Sequence, residues 1–251
     1  MTVLHAEFTK FRTVASTAWS LAAATALTVG IGLLYATLRV ARPPQAGTPF
    51  DGTAVSMAGV QLAQLAVGIL GVLAVTGEYG TGSIRTTLVA VPRRLPVLCG
   101  KAAALALLTL AASLPATVVT FLIGQRMLSA EHLGASFGQP GVARAVLGSA
   151  LYLTAVSLFG LGLGAVLRNT AGAIAALFGA LFMLQILAGL LPASWSDHAY
   201  KYLPTPAGSA ITAVRPDAVT SLGPWTGFGL FCLYTAVVLA LAAWLLRRRD
   251  V

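Results

Sequence analysis

The chain has 251 residues, is 57% hydrophobic and only 9% charged, and carries a formal net charge of +9. Its mean hydropathy is +0.86. A soluble domain carries about 25% charged residues, so this composition excludes a water-soluble globular fold. Two cysteines and three histidines in separate loops form no cluster with metal-ligand spacing.

Ahead of the first apolar stretch, Leu4, Phe8 and Phe11 share one helical face, with Glu7 and Lys10 elsewhere. That pattern predicts a short N-terminal helix lying in the membrane interface. Bilayer hydrocarbon is roughly 30 Å thick, and a helix needs about 20 apolar residues to cross it. Six such stretches follow: about Ser16 to Leu38, Ala54 to Thr76, Ala102 to Gly124, Val142 to Leu167, Ala171 to Leu191 and Trp225 to Leu246. None contains Asp, Glu, Lys or His, and Arg144, in an end turn, can snorkel to the interface. The strands of a β-barrel would alternate apolar and polar residues, whereas these runs are continuous. The fold class expected is all-α: one polytopic membrane unit over residues 1–251 with six transmembrane helices.

The first stretch is too long for a signal-peptide core and ends in Leu38-Arg39-Val40-Ala41-Arg42-Pro43-Pro44, so it reads as an uncleaved anchor. With the N-terminus inside, ten of the sixteen basic residues face the cytosol, among them the clusters Arg93–Arg94 and Arg247–Arg249 at span ends. The positive-inside rule therefore places both termini in the cytosol. The +9 then reflects topology and anionic lipid headgroups, and nucleic acid is no expected partner.

The second connection, residues 77–101, breaks the apolar pattern. Ile84, Leu88, Val91, Leu95 and Leu98 recur at helical spacing, and Pro92 should end a first short helix near Val91. Glu78, after the hydrophobic run, can favour the N-terminus of a following helix. Gly80 and Gly82 allow a sharp turn. Such a helix suits either a docking element or a solvated interfacial helix with no partner.

In span 2, Gln61, Gln64, Gly68, Gly71 and Val75 recur on one face, and span 5 adds Gln185. Amides in hydrocarbon need partners or a wet cavity. Gln61, Gln64, Gly68 and Gln185 are therefore candidates for a substrate path, with helix-to-helix bonding as the alternative. Gly160-Leu161-Gly162-Leu163-Gly164 sits inside span 4 with no strand before it, which points to close helix packing rather than nucleotide binding. No phosphate loop of the form G-x-x-x-x-G-K-S/T occurs, and the spans offer a candidate serine no base. No catalytic residue, metal site or cofactor of its own is expected.

The stretch Glu78-Tyr79-Gly80-Thr81-Gly82-Ser83-Ile84-Arg85-Thr86-Thr87-Leu88, followed by Val91-Pro92-Arg93-Arg94 and Lys101, resembles the connection between spans 2 and 3 of type-2 ABC exporter permeases. Glu7-Phe8-Thr9-Lys10-Phe11-Arg12 is similar to that family's opening segment, and Tyr202-Leu203-Pro204-Thr205-Pro206-Ala207-Gly208 to its loop between spans 5 and 6. The resemblance implies a permease subunit that pairs with a second copy or a paralogue. It also implies docking on a separate ABC ATPase subunit, which binds ATP and magnesium, through a coupling helix after span 2. Glu78, Tyr79, Gly82, Arg85, Arg93 and Arg94 are the coupling residues it implies, and the loop between spans 5 and 6 should dip back into the membrane. On this view Glu78→Ala and Arg85→Glu leave folding intact and uncouple ATP hydrolysis from transport. A non-transporting immunity or assembly factor that binds a protein through residues 77–101 is the alternative.

Overall fold

The computed structural model describes residues 15–42, 50–83, 94–130, 133–190, 192, 198–214 and 221–248. Six helices there are long and apolar enough to cross a bilayer: span 1 (Ala15–Ala41), span 2 (Gly52–Gly80), span 3 (Leu95–Ser129), span 4 (Val142–Leu167), span 5 (Thr170–Gly189) and span 6 (Pro224–Arg248). Every element among the described residues is helical, as the unbroken apolar runs required. The expected interfacial helix at Leu4 to Phe11 lies outside the described residues, as do Ile84 to Arg93 of the second connection.

Local chemistry sets the helix ends. Asp51 caps span 2, its carboxylate accepting from the Thr53 and Ala54 amides at 2.9 and 3.1 Å. Gly82, at φ +71°, turns the chain away from the end of that span, a conformation glycine adopts without steric cost. Asn169 caps span 5, accepting from the Gly172 amide at 2.8 Å. The helix that contains span 3 begins at Arg94 and runs 36 residues, about 54 Å at 1.5 Å per residue. Residues 94–101, expected to belong to the connection, are thus the first turns of this helix, and Pro96 falls in the opening turn, where proline is tolerated.

Span 4 is the central post. Of its apolar stretch 67% is buried, against 22% for spans 1, 5 and 6. Span 2 packs along it through small residues. A Cβ on Gly71 would collide with the Ser157 carbonyl, one on Gly160 with the Gly68 carbonyl, and one on Gly164 would come 2.9 Å from the Val72 carbonyl. Gly162, between them, faces Val238 of span 6. The glycine run in span 4 is therefore a packing surface, the arrangement small residues permit between membrane helices. Span 1 packs across spans 2 and 3. From Val60 onward, by contrast, span 2 scarcely touches the span 3 helix.

A second core, formed by Leu21, Val75, Tyr79, Leu98, Ala165 and Leu246 with their neighbours, gathers the start of span 1 and the end of span 6 at one end of the bundle. This end is called the terminal face here. Trp244 lies near it, with the Arg248 guanidinium 4.7 Å over its ring, and exposed Trp225 lies near the other face. The two tryptophans are nineteen positions apart, about 28 Å along the helix, close to the roughly 30 Å of hydrocarbon between two aromatic belts.

Between spans 5 and 6 the chain folds back inward. The short helix Pro204–Ser209 and the 3-10 turn Ala210–Thr212 are largely buried against spans 4 and 6. Thr205 donates to the Leu181 carbonyl at 2.7 Å. Leu181 lies eight residues before the end of span 5, about 12 Å along the helix axis, so the loop reaches that far back along the span.

The packing of spans 2 and 4 makes a prediction. Gly71→Val would drive a branched side chain into the Ser157 backbone. It should cost about 1–3 kcal/mol or more, because backbone cannot repack as a side chain can. Gly77→Ala, with open space around its Cα, should be neutral or stabilise by about 0.5–1 kcal/mol. Thermal unfolding in detergent separates the two, and equal melting temperatures would contradict this packing.

Candidate functional site

Two polar clusters interrupt the apolar bundle. The first lies at the terminal face, where the second connection begins and ends. Glu78 sits in the last turn of span 2, and Lys101 some two turns into the span 3 helix. The Lys101 ammonium donates to the Glu78 carboxylate at 3.0 Å, with side chains only 5% and 13% exposed. The pair is 23 residues apart in sequence and joins two helices whose other contacts lie mostly at their far ends. The helix that Glu78 was expected to support would lie in residues 84–93, outside the described residues. Glu78 itself stands at a helix C-terminus, where the macrodipole disfavours a negative charge, and Lys101 offsets that cost.

The next residue, Tyr79, carries the Arg168 guanidinium over its ring, 5.1 Å from the centroid. Arg168 comes from the two-residue turn between spans 4 and 5. Its amide donates to the Gly164 carbonyl at 2.9 Å, and its φ of +55° is the one positive value at a non-glycine among the described residues. Its Nε and Nη2 are shut off from solvent with no hydrogen-bond partner among those residues. The sequence contained part of this cluster. Glu78, Tyr79 and Gly82 lie together at the base of the connection, and Lys101 and Arg168 complete it. Arg85 and Arg93 lie outside the described residues, and Arg94 starts the span 3 helix.

The second cluster lies within the bundle. Gln64 is fully buried. Its amide nitrogen donates to the Gln61 carbonyl at 2.8 Å, and its amide oxygen accepts from the hydroxyl of Tyr152 in span 4. Gly68 is covered by Leu177 of span 5. Gln61 is exposed, one turn from Gln64. Gln185 donates to the Leu181 carbonyl and accepts from Tyr200 at 3.4 Å. Leu181 lies in a π-helical turn, Gly179–Met183, and its carbonyl accepts from both Gln185 and Thr205. Of the four path candidates, Gln64 and Gly68 are thus enclosed within the protomer, Gln61 opens outward, and Gln185 is partly covered.

The spacing of Tyr152 carries no motif, and Thr205 stands in the sequence only as part of the segment Tyr202 to Gly208, with no role of its own. The one available signal is chemical: a phenol in hydrocarbon needs a partner, and Gln64 needs a donor. At the face opposite the termini, Gln125 ties span 3 to the start of span 2. It donates to the Gly52 carbonyl at 2.8 Å and to the Ser56 hydroxyl at 3.0 Å, and accepts from the Ala135 amide at 2.6 Å. A polar cavity of about 280 Å³ adjoins it, lined by Asp51, Thr53 and Gln139 among others. Arg144 does not reach outward to the interface but donates to the Ala213 carbonyl at 2.7 Å.

Six packed apolar helices, with an inward-folded loop before the last and an ion pair across the connection after the second, define a multi-pass membrane protein. The model of the ABC-2 family transporter proteins matches residues 54–251, and the chain belongs to that family. Comparison with individual curated proteins gives no match.

The burial of the ion pair revises the expectation that Glu78 can be removed without harm to folding. Glu78→Ala or Lys101→Ala strands a partly buried charge, which costs about 3–5 kcal/mol when a buried pair is broken from one side. The exchange Glu78→Lys with Lys101→Glu should restore much of it, and Arg247→Ala, on an exposed residue, should change little. Unfolding midpoints in detergent test this, and a Glu78→Ala protein as stable as the parent would show the pair to be idle.

Proposed function

We propose that this chain is the membrane-spanning subunit of an ABC exporter, driven by a separate ATP-binding subunit that docks on residues 77–101 at the terminal face. The observation that carries this reading is the Glu78–Lys101 ion pair. It closes the base of a connection between two helices whose other contacts lie mostly at their far ends, around Ser56 and Gln125, so a push on that connection is delivered to both of them. The family supports the rest. An ABC-2 permease moves cargo, this sequence has no phosphate loop, and ATP and magnesium therefore belong to the partner.

On this reading the terminal face is cytosolic, in keeping with the basic clusters Arg93–Arg94 and Arg247–Arg249. The protein resides in the plasma membrane, and two permease subunits, identical or paralogous, enclose the path between them. The exposed apolar side chains of spans 1 and 5 are shared between that pairing and lipid. Gln61, exposed on span 2, is the amide that meets cargo, and Gln64 holds Tyr152. Arg85, Arg93 and Arg94 supply charge to the docking contact.

Purification of the tagged chain from its native membrane tests the reading. It should bring down an ATPase whose hydrolysis is blocked by vanadate. Replacing residues 84–93 by a glycine–serine linker should abolish that association while the helices remain folded. Loss of the ATPase only when other surfaces are altered would overturn the docking assignment. A tag after Val251 should be cytosolic and a cysteine at Ser196 labelled from outside. A cysteine at Gln61 should react with a water-soluble maleimide while one at Gln64 stays protected, and protection at both would remove span 2 from the path.

A further inference from the structure

The structure assigns Arg168, in the turn between spans 4 and 5, as a positioning residue that ties this turn to the base of the coupling connection through Tyr79. The inference rests on the functional reading above and adds a second route by which force at the connection enters the bundle.

Three observations meet at this residue. The first is its backbone. The position after a helix that adopts the left-handed conformation is ordinarily glycine, and a side chain there is strained. A bare turn would be better served by glycine, so the contacts of the arginine side chain must offset the strain of its backbone. The second is the direction of that side chain. An arginine at a membrane boundary ordinarily snorkels, extending its head to water or lipid phosphate. Arg168 instead folds under the bundle, with Nε and Nη2 closed to solvent and the guanidinium over the Tyr79 ring. A cation over an aromatic face is held more strongly when desolvated. The third is what lies on either side. Tyr79 follows Glu78, whose ion pair with Lys101 closes the coupling connection. Arg168 is followed within two residues by span 5, one of the least buried spans, so the turn has almost no slack. A displacement at Tyr79 is therefore passed to the start of span 5 directly.

The test uses the permease purified with its ATPase, after Cys99→Ser and Cys232→Ser. Spin labels are placed at Gly80→Cys and Ala171→Cys, both exposed positions, one on each side of the contact. With Arg168 present, the label separation should change by no more than about 1–2 Å, the scale of a packed helix shift, between nucleotide-free and vanadate-trapped states. Arg168→Gly relieves the strained backbone and should fold with an unchanged or raised melting temperature. Its label separation should broaden and shift well beyond that range on trapping. Tyr79→Leu should reproduce the loss, and Arg168→Lys should restore part of the tie. If the Arg168→Gly separation stays as narrow and as fixed as the parent's, or if the parent's labels already move apart, the assignment is overturned. A control pair at Gly80→Cys and Gly223→Cys separates this from the parent reading. If that pair shows no response to trapping in the parent protein, the exporter assignment itself fails, and the tie has no signal to carry.

Discussion

Spans 2 and 4 approach until a carbonyl of one lies where a methyl group would stand on the other, at Gly71 against Ser157 and at Gly160 against Gly68. In hydrocarbon there is little hydrophobic drive between helices, because lipid is as apolar as leucine, so association depends on close van der Waals contact and interhelical hydrogen bonds. The glycines supply the contact, and everything else in the bundle is arranged around it. The close approach lets Tyr152 of span 4 reach Gln64 of span 2. It also leaves spans 1, 5 and 6 as outer staves around one central post.

Most polar groups inside meet one constraint, that of finding a partner where there is no water; the Arg168 Nε and Nη2 atoms are exceptions among the described residues. Most hydroxyls meet it locally. Thr28, Thr76, Thr109, Ser149 and Thr235 each donate to the carbonyl four residues back in the same helix. The amides cannot do so alone, because each needs donors and acceptors together. Gln64, Gln125 and Gln185 each reach another helix, a loop or both, and they mark the joints of the assembly. The ion pair at the terminal face is the same solution applied to full charges.

Span count and most span limits were legible because twenty apolar residues in a row have few other meanings; span 4 was bounded at the residues the structure shows. The start of the span 3 helix was not, since Leu95, Leu98 and the residues around Lys101 look like a surface helix when spacing alone is considered. Only the partner across the chain, Glu78, shows why a lysine can be buried there. Periodicity groups Gln61, Gln64, Gly68 and Gly71 on one face of span 2, but it cannot say whether a small polar face meets a cavity or another helix. Span 4, with complementary glycines at the right spacing, decides that for three of the four. Arg168 was invisible as a site, because a basic residue between two spans is what topology alone demands.

The π-helical turn Gly179–Met183 makes span 5 a helix with two registers. A π turn holds one residue more than a regular turn needs, so the segment that follows is rotated by about 100° relative to an uninterrupted helix, the angle of a single residue. Removing one residue from Gly179–Met183 would leave an ordinary helix of nearly the same length and apolarity. It would also swing Gln185 out of reach of Tyr200 and withdraw the Leu181 carbonyl from Thr205, setting an amide against lipid and releasing the inward-folded loop. The length of this turn is therefore under a constraint that its composition, Gly-Ala-Leu-Phe-Met, does not reveal.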